Sequence, residues 1–186
     1  MKYVIEHLEK ELYEWSIIEY CRISEIVGKD NLMIFNLKEQ EVQKLKDIAQ
    51  CFTESVNSSK DIDVPDACVL DPQAPNTLSK DERFAYLVFG GILGDDPPTG
   101  KTSEILLDAA ERRNIGDAQM TTDNAVLCTK MIMGGKDLQE IEFIDDLEIT
   151  LDDGESIVMP FRYIVRENGK PFIADEIVEL IKKEGF

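Results

Sequence analysis

The stretch Phe89-Gly90-Gly91-Ile92-Leu93-Gly94-Asp95 decides which fold and which ligand this sequence predicts. It continues an apolar run at residues 84–89, which is typical of a strand buried on both faces. Glycines that follow such a strand allow a small molecule to approach the backbone closely, because they carry no side chain. A tight turn with a solvated acidic tip accounts for the same residues equally well.

The continuation of this stretch, Gly94-Asp95-Asp96-Pro97-Pro98-Thr99-Gly100-Lys101-Thr102, resembles a phosphate-binding P-loop but departs from it in spacing and chemistry. Five residues separate its first glycine from Gly-Lys-Thr, whereas the P-loop motif has four. Pro97 and Pro98 lack the N–H groups that cradle phosphate, and Asp95 and Asp96 would repel it. The residues therefore favour a cationic ligand, and S-adenosylmethionine, with its sulfonium and ammonium groups, is one such ligand.

The sequence contains 38 acidic and 20 basic residues, which give a net charge of −18. Such a surface repels nucleic acid and attracts cationic partners, although it also serves solubility. The cysteines are far apart (Cys21, Cys51, Cys68, Cys128), so we expect neither a zinc site nor a disulfide framework, and no metal. No run approaches the roughly 20 apolar residues of a membrane span, and no secretory pattern is present. These features predict a cytoplasmic protein.

Strand-like and helix-like patterns alternate along the chain, which predicts an α/β domain with a largely parallel sheet. The predicted strands are residues 3–7, 32–37, 51–56, 67–70 and 84–89, and the predicted helices are residues 9–27, 39–49, 102–113 and 121–133. Residues 141–151 and 156–165 are predicted to form an antiparallel hairpin before a final helix at 177–183. We expect one domain over 1–186, with a loop at 57–65 as a join.

Loops that follow the carboxyl ends of parallel strands meet at one edge of the sheet, where ligands of open α/β sheets bind. Val69-Leu70-Asp71-Pro72 and the Gly90-Gly91 stretch provide two such loops. A third, residues 114–122, leads into the predicted helix at 121–133. Thr121 or Thr122 can cap that helix, and its free N–H groups could face a ligand. Together the three loops predict a cofactor pocket.

Five blocks that occur in order along nearly the whole chain resemble a known family. The blocks are Glu6-His7-Leu8-Glu9 with Leu12-Tyr13-Glu14-Trp15-Ser16 and Glu19-Tyr20; Val69-Leu70-Asp71-Pro72; Phe89-Gly90-Gly91-Ile92-Leu93-Gly94-Asp95 with Pro97-Pro98; Gln119-Met120-Thr121-Thr122-Asp123 with Ala125-Val126; and Pro160-Phe161-Arg162-Tyr163. This is the SPOUT-class methyltransferase family that includes a fungal arginine methyltransferase of a small-subunit ribosomal protein. Its archaeal members have been labelled RNA methyltransferases.

The resemblance implies a SPOUT-like α/β fold with a deep trefoil knot near the cofactor, although chains generally avoid knots. It also implies S-adenosylmethionine as the cofactor. The residues that the resemblance assigns to cofactor binding are Leu70, Asp71, Pro72, Gly90, Gly91, Ile92, Gly94, Asp95, Met120, Thr121, Thr122 and Ala125. Asn124 stands where the family is expected to have threonine, a change that keeps a small polar group.

The acidic residues near the predicted pocket suggest that the methyl acceptor is an arginine side chain of a protein. A guanidinium is cationic, and a carboxylate can hold it through two hydrogen bonds and accept a proton. Glu19 and Glu6 are the predicted orienting carboxylates, with Asp95 as a third catalytic candidate. The predicted substrate-binding residues are Glu9, Trp15, Tyr20 and Asp96, with Trp15 or Tyr20 stacking on the cation. Core packing is the alternative role of Trp15.

Two other functions remain open at this point. Most SPOUT-class enzymes methylate RNA, but the basic clusters here are small and the charge opposes nucleic acid. A binding module that kept the fold without the chemistry is the second alternative, and the intact cofactor loops argue against it. The resemblance favours a basic ribosomal protein as substrate, and a monomer over the dimer that is common in this class.

Overall fold

A six-stranded parallel sheet of short, mostly apolar strands forms the centre of the molecule. The computed structural model describes residues 1–92, 102, 105, 107–151 and 154–184. The strands are β1 (Lys2–His7), β2 (Leu32–Phe35), β3 (Gln50–Cys51), β4 (Ala67–Leu70), β5 (Tyr86–Gly91) and β6 (Glu111–Arg113). Their order across the sheet is β3-β2-β1-β5-β4-β6, and every neighbouring pair is parallel. The predicted α/β fold with a largely parallel sheet is confirmed.

The remaining elements are helices and two short antiparallel strand pairs. The helices are α1 (Glu14–Val27), α2 (Glu39–Leu45), α3 (Thr122–Met133) and α4 (Asp175–Glu184). The pairs are β8 (Leu147–Thr150) with β9 (Ser156–Met159), and β7 (Phe143–Ile144) with β10 (Tyr163–Ile164). The predicted carboxyl-terminal hairpin and final helix are confirmed. Within the described part of the chain, no helix has the length and apolar character needed to cross a bilayer.

The two faces of the sheet bury separate apolar clusters because successive strand side chains point to opposite sides. On one face, Tyr3 and Ile5 of β1 pack with Tyr20 and Ile23 of α1. On the other face, the cluster contains Val4, Val56, Ile105 and Leu107. A third cluster joins β8, β9 and α4 to one side of α1. The face to which a side chain belongs therefore decides whether it can reach the helices.

Several element boundaries differ from the sequence-based predictions. The first helix begins at Glu14, five residues after the predicted start at residue 9. The helix predicted at 102–113 is wrong over residues 107–113, because residues 107–110 form a turn and Glu111–Arg113 form the edge strand β6. Charged side chains are typical of edge strands, where they discourage pairing with another chain. Gly90 and Gly91 lie inside β5, paired with Glu6 and His7 of β1, and do not form a turn after it.

Gly91→Ala is expected to destabilise the protein by about 1–3 kcal/mol through overpacking. A Cβ atom on Gly91 would overlap the Tyr20 hydroxyl and would lie 2.8 Å from Ile5 Cγ2. Gly90→Ala is the matched control, because its Cβ would meet the flexible ends of Ile92 (3.0 Å) and Leu8 (3.4 Å). Urea denaturation of both variants measures the difference. Equal losses of unfolding free energy would contradict the packing role given to Gly91.

Candidate cofactor pocket

A cavity of about 330 Å³ opens beyond the carboxyl ends of β4 and β5. The loop after β6 and the amino-terminal end of α3 complete its wall. The lining residues are Leu70, Asp71, Pro72, Gln73, Phe89, Gly90, Ile92, Thr102, Ile115, Gly116, Asp117, Ala118, Gln119, Met120, Thr122 and Ala125. This is the sheet edge at which open α/β folds bind ligands.

Most of the predicted cofactor residues line this cavity. Leu70, Asp71, Pro72, Gly90, Ile92, Met120, Thr122 and Ala125 do so. Gly91 and Thr121 do not, because Gly91 packs against Tyr20 and Thr121 is buried beside Asp123. Gly94 and Asp95, together with the predicted substrate residue Asp96, lie outside the described residues. The structure thus brings the three predicted loops together at one pocket.

Residues 115–119 also line the cavity, but none of them was predicted as a cofactor-binding residue. The sequence predicted only that the loop at 114–122, which contains them, faces the ligand. Asn114 organises this loop through its side chain. Its Oδ1 accepts hydrogen bonds from the Gly116 N–H (3.1 Å) and the Thr77 hydroxyl (3.0 Å), and its Nδ2 donates to the Ala74 carbonyl (2.8 Å). Gly116 has a φ of 104°, a left-handed conformation that favours glycine. Thr77 and Ala74 are about 40 residues away in sequence, so local patterns do not reveal them.

Asp71 lines the pocket, but both of its carboxylate oxygens already have partners. Its Oδ2 pairs with Arg112 Nη1 at 2.9 Å, and its Oδ1 accepts from the Gln73 N–H at 2.9 Å. Arg112 also donates to the carbonyl of Ile105. Arg112 of strand β6 therefore neutralises the Asp71 carboxylate and links Asp71 to the backbone of Ile105.

The amino-terminal end of α3 contains a buried polar network. Asp123 Oδ2 lies 2.8 Å from Arg22 Nε, and its Oδ1 accepts from the Thr121 hydroxyl (2.6 Å). The Arg22 guanidinium also stacks on the Phe172 ring, 4.0 Å from its centroid. Asn124 donates to the Phe172 carbonyl and accepts from the Ile164 N–H. The helix end that faces the pocket is thereby fixed to α1 and to the carboxyl-terminal segment.

Glu19 lies behind the pocket wall and does not line it. Its side chain is buried, its Oε1 accepts from Trp15 Nε1 at 2.7 Å, and it contacts Thr122. Burial raises the pKa of the Glu19 carboxyl to about 8, and repulsion from Asp123 adds to the shift, while hydrogen bonds from Trp15 and Thr122 oppose it. We interpret Glu19 as a support for Thr122, in place of the direct acceptor contact predicted for it.

Glu6 lies on the opposite face of the sheet from Glu19. Its carboxylate accepts hydrogen bonds from the Ser55 hydroxyl (2.6 Å) and the Val56 N–H (2.9 Å). Burial raises the pKa of Glu6, and these two hydrogen bonds oppose the rise. The prediction that Glu6 and Glu19 both orient the acceptor guanidinium does not fit this geometry, because the sheet lies between the two carboxylates.

The two aromatic residues predicted to stack on the acceptor instead contact other side chains within the protein. Tyr20 is buried, and its hydroxyl lies 2.9 Å from His7 Nδ1. Trp15 is half-buried and packs against the third apolar cluster, which agrees with the alternative role that the sequence left open. Glu9 is half-buried after β1 and does not line the cavity. The structure therefore does not bring Glu9, Trp15 and Tyr20 to the pocket.

The lining chemistry fits S-adenosylmethionine. No Lys, Arg or His is found among the described lining residues, and Asp71 and Asp117 are the carboxylates there. Because its described lining contains no cationic side chain, the pocket admits a ligand with sulfonium and ammonium charges and disfavours a phosphate. Apolar side chains make up much of the wall and can cover an adenosyl group, and Gly90 leaves the backbone open to close approach.

Similarity to known proteins agrees with this geometry. The model of the family "Protein arginine N-methyltransferase SFM1-like" matches residues 2–185. Protein arginine N-methyltransferase SFM1 of Saccharomyces cerevisiae is 37% identical over 205 aligned residues, covering 99% of this chain and 95% of the yeast protein. The crystal structure of yeast SFM1 complexed with SAM superposes with a TM-score of 0.90 at 35% identity, covering 99% and 91% of the two chains.

A more distant structure, that of a dual-specific Trm10 from Thermococcus kodakaraensis, shares the fold at 18% identity and a TM-score of 0.57, covering 75% of this chain and 96% of that one. The predicted SPOUT-like fold is thereby confirmed, and the trefoil knot stays a prediction. The match of the family model over nearly the whole chain confirms the resemblance drawn from the sequence blocks. The chain belongs to the SFM1-like family of protein arginine N-methyltransferases.

Proposed function

We propose that this protein transfers a methyl group from S-adenosylmethionine to an arginine side chain of another protein. The observation that carries the proposal is the pocket at the carboxyl edge of the sheet, whose described lining is largely apolar and contains no cationic side chain. Membership in the SFM1-like family supports the same activity. The pocket's volume of about 330 Å³ falls at the lower end of the range for small-molecule sites.

The residues of the pocket have separate tasks in this proposal. Leu70, Phe89 and Met120 enclose the apolar parts of the cofactor, and Gly90 permits backbone contact. Thr122 offers a hydroxyl that Glu19 holds from behind. When bound, S-adenosylmethionine supplies a methyl group on a sulfonium sulfur, which a substrate nitrogen takes up with loss of one proton. Positioning and electrostatics, without a covalent enzyme intermediate, then account for the acceleration.

The finer identity of the substrate is part of the proposal. A net charge of −18 favours a basic partner and slows productive encounter with RNA. We therefore propose a ribosomal protein with a basic segment as substrate, methylated in the cytoplasm by a monomeric enzyme. Raising the salt concentration should weaken such a charge-driven encounter.

S-adenosylmethionine is expected to bind in titration calorimetry, whereas ATP is not, because phosphate meets no cation in the described lining. With cofactor labelled in its methyl group, label should enter one of the separated small-subunit ribosomal proteins. Mass spectrometry should place it on an arginine, and an Arg→Lys peptide of the same sequence is the control.

Other outcomes of this experiment would overturn the proposal. Label that enters ribosomal RNA alone would identify an RNA methyltransferase. Absence of detectable S-adenosylmethionine binding would identify a binding module that retains the fold without the chemistry.

A further inference from the structure

Two carboxylates line the described part of the pocket, and they differ in availability. Asp71 is paired with Arg112, and its second oxygen accepts a backbone N–H. Asp117 has a fully exposed side chain, at 101% of its reference accessibility. Of the two, Asp117 is the one that can present its oxygens to a solute arriving from solvent.

The loop that carries Asp117 is held at both ends. On one side, Asn114 fixes the Gly116 N–H, so that Gly116 keeps its left-handed turn directly before Asp117. On the other side, the Gln119 carbonyl accepts the Arg162 N–H at 2.8 Å, and Met120 forms a β-bridge with Arg162. An exposed carboxylate on a fixed backbone can select a geometry, whereas one on a free loop cannot.

The cationic neighbour of Asp117 is already committed elsewhere. Arg162 donates from Nε (2.7 Å) and Nη2 (2.9 Å) to both oxygens of Asp145. Its remaining nitrogen, Nη1, lies 3.9 Å from Asp117 Oδ1, which is longer than a hydrogen bond. The Arg162 guanidinium also holds the pKa of Asp145 below its usual value. Asp117 therefore keeps its capacity to accept hydrogen bonds from a second guanidinium.

We propose that Asp117 binds the guanidinium of the acceptor arginine at the mouth of the pocket. This inference rests on the proposed function and names the residue that selects its substrate. A carboxylate and a guanidinium match in a planar arrangement of two parallel N–H···O bonds, which fixes the orientation of the acceptor as well as holding its charge. A lysine ammonium is a point charge that cannot form this fork, so Asp117 favours arginine over lysine.

Asp117→Asn is expected to raise KM for the arginine peptide identified in the labelling experiment by about tenfold or more, since charge-assisted hydrogen bonds are lost. The dissociation constant of S-adenosylmethionine, measured by calorimetry, should stay near that of the wild type. Asp117→Glu should restore part of the lost affinity, because it keeps the carboxylate on a longer side chain. Full kinetic curves for wild type and variants separate KM from kcat.

Asp47→Asn is the matched control, since Asp47 is exposed beyond α2 and the substitution changes the net charge by the same amount. It should leave KM unchanged. A wild-type KM in Asp117→Asn would overturn the inference while leaving the proposed function intact. A loss of S-adenosylmethionine binding would also overturn it, by assigning Asp117 to the cofactor. Absence of arginine methylation by the wild type would instead refute the proposed function.

Discussion

Asp123→Ala is expected to lower the free energy of unfolding by about 3–5 kcal/mol, because it strips a buried cation of its counter-ion. The side chains of Arg22 and Asp123 are 14% and 3% exposed, so water compensates only partly for the lost carboxylate. The substitution also removes the acceptor of the Thr121 hydroxyl at the beginning of α3. Urea denaturation followed by circular dichroism measures the loss.

Glu179→Ala provides the control for this prediction. Glu179 pairs with Lys182 at 3.1 Å, but its side chain is 72% exposed, and surface pairs contribute roughly 0–1 kcal/mol. If Asp123→Ala cost no more than Glu179→Ala, Arg22 would be stabilised mainly by stacking on Phe172, and the ion pair would have little importance.

Wild-type protein is expected to lose stability, relative to Glu19→Gln, as the pH rises from about 5 to about 8. Burial raises the pKa of Glu19 from 4.5 to about 8, so the folded state keeps a proton that the unfolded state releases. Below the unfolded-state pKa, Glu19 is protonated in both states, and the variant should have a free energy of unfolding similar to that of the wild type. Above that pKa, ionisation of Glu19 in the unfolded state increasingly favours unfolding of the wild type, until Glu19 ionises in the folded state as well. The difference should reach a few kcal/mol at pH 8.

Comparing the two proteins at each pH removes the contributions of other groups. His7, whose pKa is lowered by burial, contributes a pH dependence of the opposite sign, but it is present in both proteins. Glu25→Gln is the control, because Glu25 is exposed on the same helix and the substitution is chemically the same. A flat difference for Glu19→Gln would show that Glu19 is ionised in the folded protein at neutral pH.

Regular patterns in the sequence were sufficient to predict the parallel sheet and the three loops that meet at the pocket. The strand at 67–70 was predicted with its observed bounds, because four consecutive buried residues preceding Asp-Pro leave little alternative. Leu70 and Gly90 then lie at the sheet edge by topology alone. The edge strand β6 was not predicted because its sequence, Glu-Arg-Arg, lacks the apolar residues that indicate a strand. The ion pairs of its arginines with Asp71 and Glu82 are evident only from the structure.

The roles of individual carboxylates could not be predicted in the same way. Glu6 and Glu19 belong to blocks that resemble the family, yet each is buried beside a partner that is distant in sequence, which for Glu19 is Thr122. Glu6 is held by residues 49 and 50 positions later in the chain. Asp117 lies in a loop whose shape depends on Asn114 and Arg162, which are also distant in sequence from most of their partners.

The contact of Gly91 with Tyr20 restricts which substitutions this sequence tolerates. A side chain at position 91 would collide with the Tyr20 hydroxyl and with Ile5, so both neighbours must become smaller before position 91 can become larger. Removing the hydroxyl first would leave His7 Nδ1 without its partner inside the protein. Substitutions at these positions are therefore tolerated only in certain orders, and it is packing against Tyr20 and Ile5 that requires glycine at the end of β5.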